Sequence, residues 1–182
     1  MKKLLIPICL ILAITACNRQ TKNQRAADEI LDKIPSTKTM NAGKHPYELY
    51  VPDGWKTENR KLRGVDYYFI APADNPNINV NVVTETMSGL SLNDYSELNL
   101  NNIKRIIPSA VILGHGKTKI NGVTSAWYKY TIEPQGINIS LSSCLVPDKG
   151  VAYIITCGSL TKDADKYKNT FDTILKSFKF VN

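Results

Sequence analysis

The sequence predicts a single α+β domain in which an antiparallel sheet is flanked by helices. Three observations carry that expectation. Apolar and polar residues alternate with a period of two through most of 110–160, short turn-forming stretches interrupt the alternation as hairpin loops do, and a segment of helical period stands on either side. The composition agrees, since 182 residues that are 43% hydrophobic and 21% charged are enough for one sizeable core.

The chain begins with Lys2 and Lys3 and an apolar run from Leu4 to Ala16, interrupted by Pro7. A membrane-spanning helix needs ~20 apolar residues, so this run is too short to stay in a bilayer. A basic start, a short apolar stretch and small residues at its end mark 1–16 as a signal peptide. Its last residues, Leu12-Ala13-Ile14-Thr15-Ala16-Cys17, resemble a bacterial lipobox, in which a diacylglyceryl group joins the cysteine thiol and cleavage leaves that cysteine first. Cys17 is therefore the expected lipidation site, and Cys9 leaves with the peptide. Two or three acyl chains, at ~0.8 kcal/mol per buried CH₂, hold a protein stably at a membrane.

Loss of Lys2 and Lys3 takes the formal charge from +7 to +5. Arg19, Lys22 and Arg25 precede the first acid, Asp28, and such cations favour anionic headgroups or simply keep a tether solvated. No dense basic patch is interleaved with aromatics, which argues against nucleic acid as a partner. Residues 17–43 read as the tether. Ala27, Ile30, Leu31 and Ile34 have the spacing of a short amphipathic helix that Pro35 ends, and "PSTKTMNAGK" follows as a linker.

The domain proper is expected over 44–182. Tyr47, Leu49 and Val51 alternate as a strand closed by "PDGW", and 65–71 and 78–83 are two more strands separated by "PADNPN". Ser91, with Asp94 three residues on, opens a helix whose apolar face is Leu92, Tyr95, Leu98, Ile103 and Ile106, and Pro108 closes it. "AVILGHGKTKI", "VTSAWYKYTI", "INISLSSCLV" and "VAYIITCGSL" then form a meander with turns at Asn121-Gly122, 133–136 and 147–150. A last helix runs from about Lys162, with Tyr167, Phe171, Ile174, Leu175 and Phe178 on one face.

"YELYVPDGW" at the domain start, "GVAYIITCGS" on the penultimate strand and "YKNTFDTILKSF" in the closing helix, in that order and spacing, resemble the PsbP/DcrB-like family over residues 47–178. The resemblance implies an α/β/α sandwich, a central antiparallel sheet with helices on both faces. It also implies an envelope protein, often lipid-anchored in bacteria, that serves as an accessory or binding component without a shared catalytic site. Metal positions of photosynthetic relatives have no residue-by-residue match here.

Searches for chemistry return little. Gly116-Lys117-Thr118 ends like a phosphate-binding loop, but Val111 stands where its first glycine belongs. His45 and His115 have no Cys or carboxylate at a zinc-site spacing, and no serine lies in Gly-x-Ser-x-Gly. No cofactor or metal is expected. Asp163 and Asp165 suit a helix start. If Asp148-Lys149 were the loop, Cys144 would face Tyr153 and Cys157 would face Ser140, placing the thiols ~13 Å apart. Both are then expected free.

Asn75, Asn77, Asn79 and Asn81 form a row of amides, although asparagine is depleted in strands. With Ile70 opposite Ile78, Tyr67 and Phe69 would join Asn79 and Asn81 on one face as a surface for a sugar or peptide; the plainer reading is a solvated edge strand. The function expected is that of a periplasm-facing lipoprotein of the cell envelope, not an enzyme, with an envelope protein or saccharide as partner. A hydrolase with a site assembled from distant residues, or an electrostatic adaptor at the membrane surface, are the alternatives.

Overall fold

The computed structural model describes residues 46–181 apart from 63, 64 and 76. The signal peptide, Cys17 and the helix expected over 27–34 lie outside the described residues. In chain order the elements are β1 (Tyr47–Glu48), β2 (Trp55–Leu62), β3 (Val65–Pro72), β4 (Asn79–Thr86), α1 (Leu92–Ile106), β5 (Val111–Ile120), β6 (Val123–Ile132), β7 (Ile139–Asp148), β8 (Val151–Leu160), α2 (Ala164–Ser177) and β9 (Lys179–Phe180). Seven strands pair antiparallel in the order β2-β3-β4-β8-β7-β6-β5, and β1 pairs separately with β9.

Each helix seals one face. Tyr95, Leu100 and Ile103 of α1 pack with Tyr67, Val83 and Tyr128 in one apolar cluster; Phe171, Ile174 and Phe178, in and just after α2, pack with Ile70, Val80 and Ile155 in the other. The start of α1 is set as its sequence dictates: Ser91 Oγ accepts from the Asp94 N–H at 3.2 Å and donates to its carboxylate at 2.7 Å. Among the described residues no helix is long and apolar enough to cross a membrane.

Four readings of the sequence change. β2 has no apolar alternation because it is an edge, where Lys56, Glu58, Arg60 and Lys61 keep the unpaired side from accepting another strand. The strand expected over 47–51 stops at Glu48, since the Tyr50 N–H donates instead to Ser177 Oγ at the end of α2. β3 and β4 pair with Ile70 opposite Val80, two residues from the expected register, which leaves the faces unchanged. β7 and β8 also shift by two, because Lys149 and Gly150, both at positive φ (46° and 80°), make the turn and put Asp148 opposite Val151.

The last shift moves the cysteines. Cys144 faces Ile155 and Cys157 faces Ser142, so the two are diagonal neighbours at ~7–8 Å, not ~13 Å. That spacing still lies beyond disulfide geometry, which needs Cα atoms within ~7 Å. Both thiols are free and buried. Burial pushes Cys144 up to about 12 and Cys157 well above its ordinary value, so neither offers the thiolate that oxidation needs. Alkylation without reductant, followed by peptide mass mapping, should label both residues in denatured protein and neither in native protein. Absence of label after denaturation would show a disulfide and a different register.

Candidate functional site

The surface expected from Tyr67, Phe69, Asn79 and Asn81 does not exist. The four side chains do share a face, with Asn81 opposite Phe69 and the rings of Tyr67 and Phe69 stacked at 5.6 Å. That face is the one α1 covers, and all four are buried, Asn81 to 1% exposure. β4 is not an edge either, because it lies between β3 and β8. The amides meet each other and a polar lane beside them, while Asn81 Oδ1 has no partner among the described residues. Asn81 donates to Asn79 Oδ1 at 3.4 Å, Thr156 stands opposite Asn81, and the Thr156 and Ser143 hydroxyls meet at 3.0 Å. Gly158 opposite Asn79 leaves room, since a Cβ there would lie 3.2 Å from Leu141.

The opposite face carries a concave feature. Cross-strand partners share a face, so the register arranges the floor beneath α2 in rows. One row runs Gly116, Trp127, Cys144, Ile155, Val82. The next runs Gly114, Lys129, Ser142, Cys157, Val80, and the row beyond it includes Thr131, Ser140 and Ser159. Toward its centre the layer is apolar and close-packed under Ile174 and Phe178. Toward the N-terminal half of α2 it turns polar, and a cleft of about 270 Å³ opens between helix and sheet.

The floor of the cleft is Lys129, Ser140, Ser142, Cys157 and Ser159; its wall is Asp165, Lys168, Phe171 and Asp172 of α2. Positions 165, 168 and 172 recur at i, i+3 and i+7, so one helix face carries all three charges to the rim. Leu113 closes the far end from a bulge in β5, 62% exposed. Beside it Trp127 lies across Gly114 and Gly116, where an added Cβ would come within 3.2–3.4 Å of the indole. That close approach explains the Gly-His-Gly spacing, in which the glycines and not His115 carry the structural demand.

Deep in the cleft, Ser159 is 1% exposed and its Oγ has no hydrogen-bond partner among the described residues. Cys157 beside it stays a neutral thiol, through burial first and then the proximity of Cys144 and Asp172. The ion pairs among the described residues, Arg60–Glu58, Lys61–Asp66 and Lys179–Glu48, lie elsewhere and leave the cleft lysines and aspartates out. Among the described residues no three His, Cys, Asp or Glu side chains cluster as a metal site.

Sequence reasoning missed this site. Its signal was in "INISLSSC", where Ser140 and Ser142 alternate with buried Ile139 and Leu141, but a hydroxyl row reads as a solvent face until a helix is known to lie over it.

A family model described as PsbP matches residues 37–180. Among solved structures the fold is similar to cyanobacterial PsbP (CyanoP) from Synechocystis sp. PCC 6803, at 18% identity and TM-score 0.59 over 78% of this chain and 90% of that one. It is similar to LpqN of Mycobacterium tuberculosis, described as involved in cell envelope biogenesis, at 12% and 0.54 over 75% and 83%. The Saccharomyces cerevisiae Ran-binding protein Mog1p is alike at 10% and 0.55 over 79% and 94%. At these identities the likeness is one of fold alone. No curated protein matches the sequence.

Proposed function

Because this chain belongs to the PsbP family, and on the strength of the cleft beneath α2, we propose that it is a lipid-anchored accessory protein of the bacterial cell envelope that acts by binding a small polar ligand and not by catalysis. The observation that carries the binding reading is the change from apolar to polar floor within one helix–sheet layer, ending in the buried hydroxyl of Ser159, which has no partner among the described residues. An envelope location is supported by the lipobox ending at Cys17 and by the fold shared with LpqN.

Two measurements test this. Cys17→Ala should leave the membrane fraction or remain unprocessed; processing and fractionation like wild type would remove the anchor. In thermal-shift screening of the full chain against small polar metabolites, at least one class should raise the Tm of wild type but not of Ser142→Phe, whose ring fills the floor. Cleft-dependent turnover of a hit would replace the binding reading with an enzymatic one.

A further inference from the structure

The charges around the cleft are arranged to distinguish ligands. Lys129 stands on β6, in the row that runs through Ser142 to Cys157 on β8, while Asp172 lines the same cleft from α2. A cation from the sheet and an anion from the helix therefore line one cleft, neither belonging to an ion pair among the described residues, with Ser142 beside Lys129 in its row and Ser140 and Ser159 in the next. Lys168 and Asp165 repeat both signs along the rim.

This pattern discriminates by class. A purely anionic ligand would meet Asp165 and Asp172, and a purely cationic one Lys129 and Lys168. A neutral polyol would cover both kinds of charge and neutralise neither, which costs desolvation without return. The space of about 270 Å³ lies just below the ~300–1,000 Å³ of pockets for drug-sized ligands, so the occupant is small. The buried Ser159 hydroxyl, unpaired among the described residues, supplies a hydrogen-bonding group at the bottom.

We infer that the cleft takes a small zwitterion of amino-acid size, its ammonium group set against Asp172 and its carboxylate against Lys129, with the serine hydroxyls hydrogen-bonding its polar atoms. This rests on the reading of the cleft as the binding site and adds the chemistry of what enters it.

Calorimetric titration of the full chain in detergent tests the inference with L-alanine, L-glutamine, L-glutamine methyl ester, N-acetyl-L-glutamine and glucose. An amino acid should bind, and its ester and N-acetyl derivative, each lacking one charge, should bind at least about tenfold more weakly. Asp172→Asn should weaken L-glutamine by about tenfold or more while sparing N-acetyl-L-glutamine, and Lys129→Met should weaken L-glutamine while sparing the methyl ester. Both positions border solvent, so both variants should keep the wild-type circular dichroism and Tm. Equal affinity for the single-charge derivatives, glucose binding untouched by either variant, or no heat with either amino acid up to about 10 mM would each overturn the zwitterion. In those cases a Tm shift that Ser142→Phe abolishes keeps the cleft as a binding site for another class, whereas no such shift with any compound removes the binding site as well.

Discussion

Phe178→Ala should cost about 3–5 kcal/mol of folding stability in urea denaturation, the range for removing a fully buried Phe. Phe178 is 1% exposed although it follows the last residue of α2. Its ring stacks on Tyr47 at 5.2 Å and touches Tyr153 and Phe180 at 5.9 and 5.1 Å, so a single side chain ties β1, β8, α2 and β9 together. Its carbonyl also accepts from the Asn121 amide at 2.7 Å, which fastens the end of the helix to the β5–β6 turn. A helix of this length is marginal alone, so α2 depends on these contacts. Phe171→Ala should be costly for the same reason, and a loss below ~1 kcal/mol for both would make α2 peripheral.

Raising the pH should destabilise the protein through Glu85. Its carboxyl accepts a hydrogen bond from the Tyr95 hydroxyl of α1 while its other oxygen is buried without a partner among the described residues. Burial is the dominant cause and pushes Glu85 from 4.5 up to about 8, against a smaller lowering by the Tyr95 bond. The folded state thus holds this proton more tightly than the unfolded state. The associated stability is fully present below pH ~4.5 and is lost as the pH rises to ~8, a drop on the order of 3–5 kcal/mol. Glu85→Gln keeps a hydrogen-bonding partner for Tyr95 but cannot ionise. Urea midpoints at pH 5 and pH 8.5 should differ for wild type much more than for Glu85→Gln, and equal slopes in the two proteins would refute the assignment.

Local pattern was enough wherever one face of an element is apolar and the other wet. Leu92, Tyr95, Ile103 and Ile106 marked α1, and the Asn121-Gly122 turn marked the β5–β6 hairpin, because helical and strand periods are written in the residues themselves. β2 escaped because an edge strand needs no apolar face, and its pairing is made by the backbone, which every sequence carries.

The sequence by itself determined the α+β class, the antiparallel meander, the segments that become α1 and α2, and the assignment of Asn79, Asn81, Tyr67 and Phe69 to one face. A strand's two-residue period survives any even shift of register, so faces are local information. Only the tertiary structure decided what lies over each face. α1 covers the amide row and makes it interior, while α2 arches over Ser140, Ser142 and Ser159 and makes a cleft of what reads as a solvent face. The physical reason is that burial depends on the partner surface, and helix and floor come from stretches 6 to 43 residues apart that meet only when the sheet has assembled.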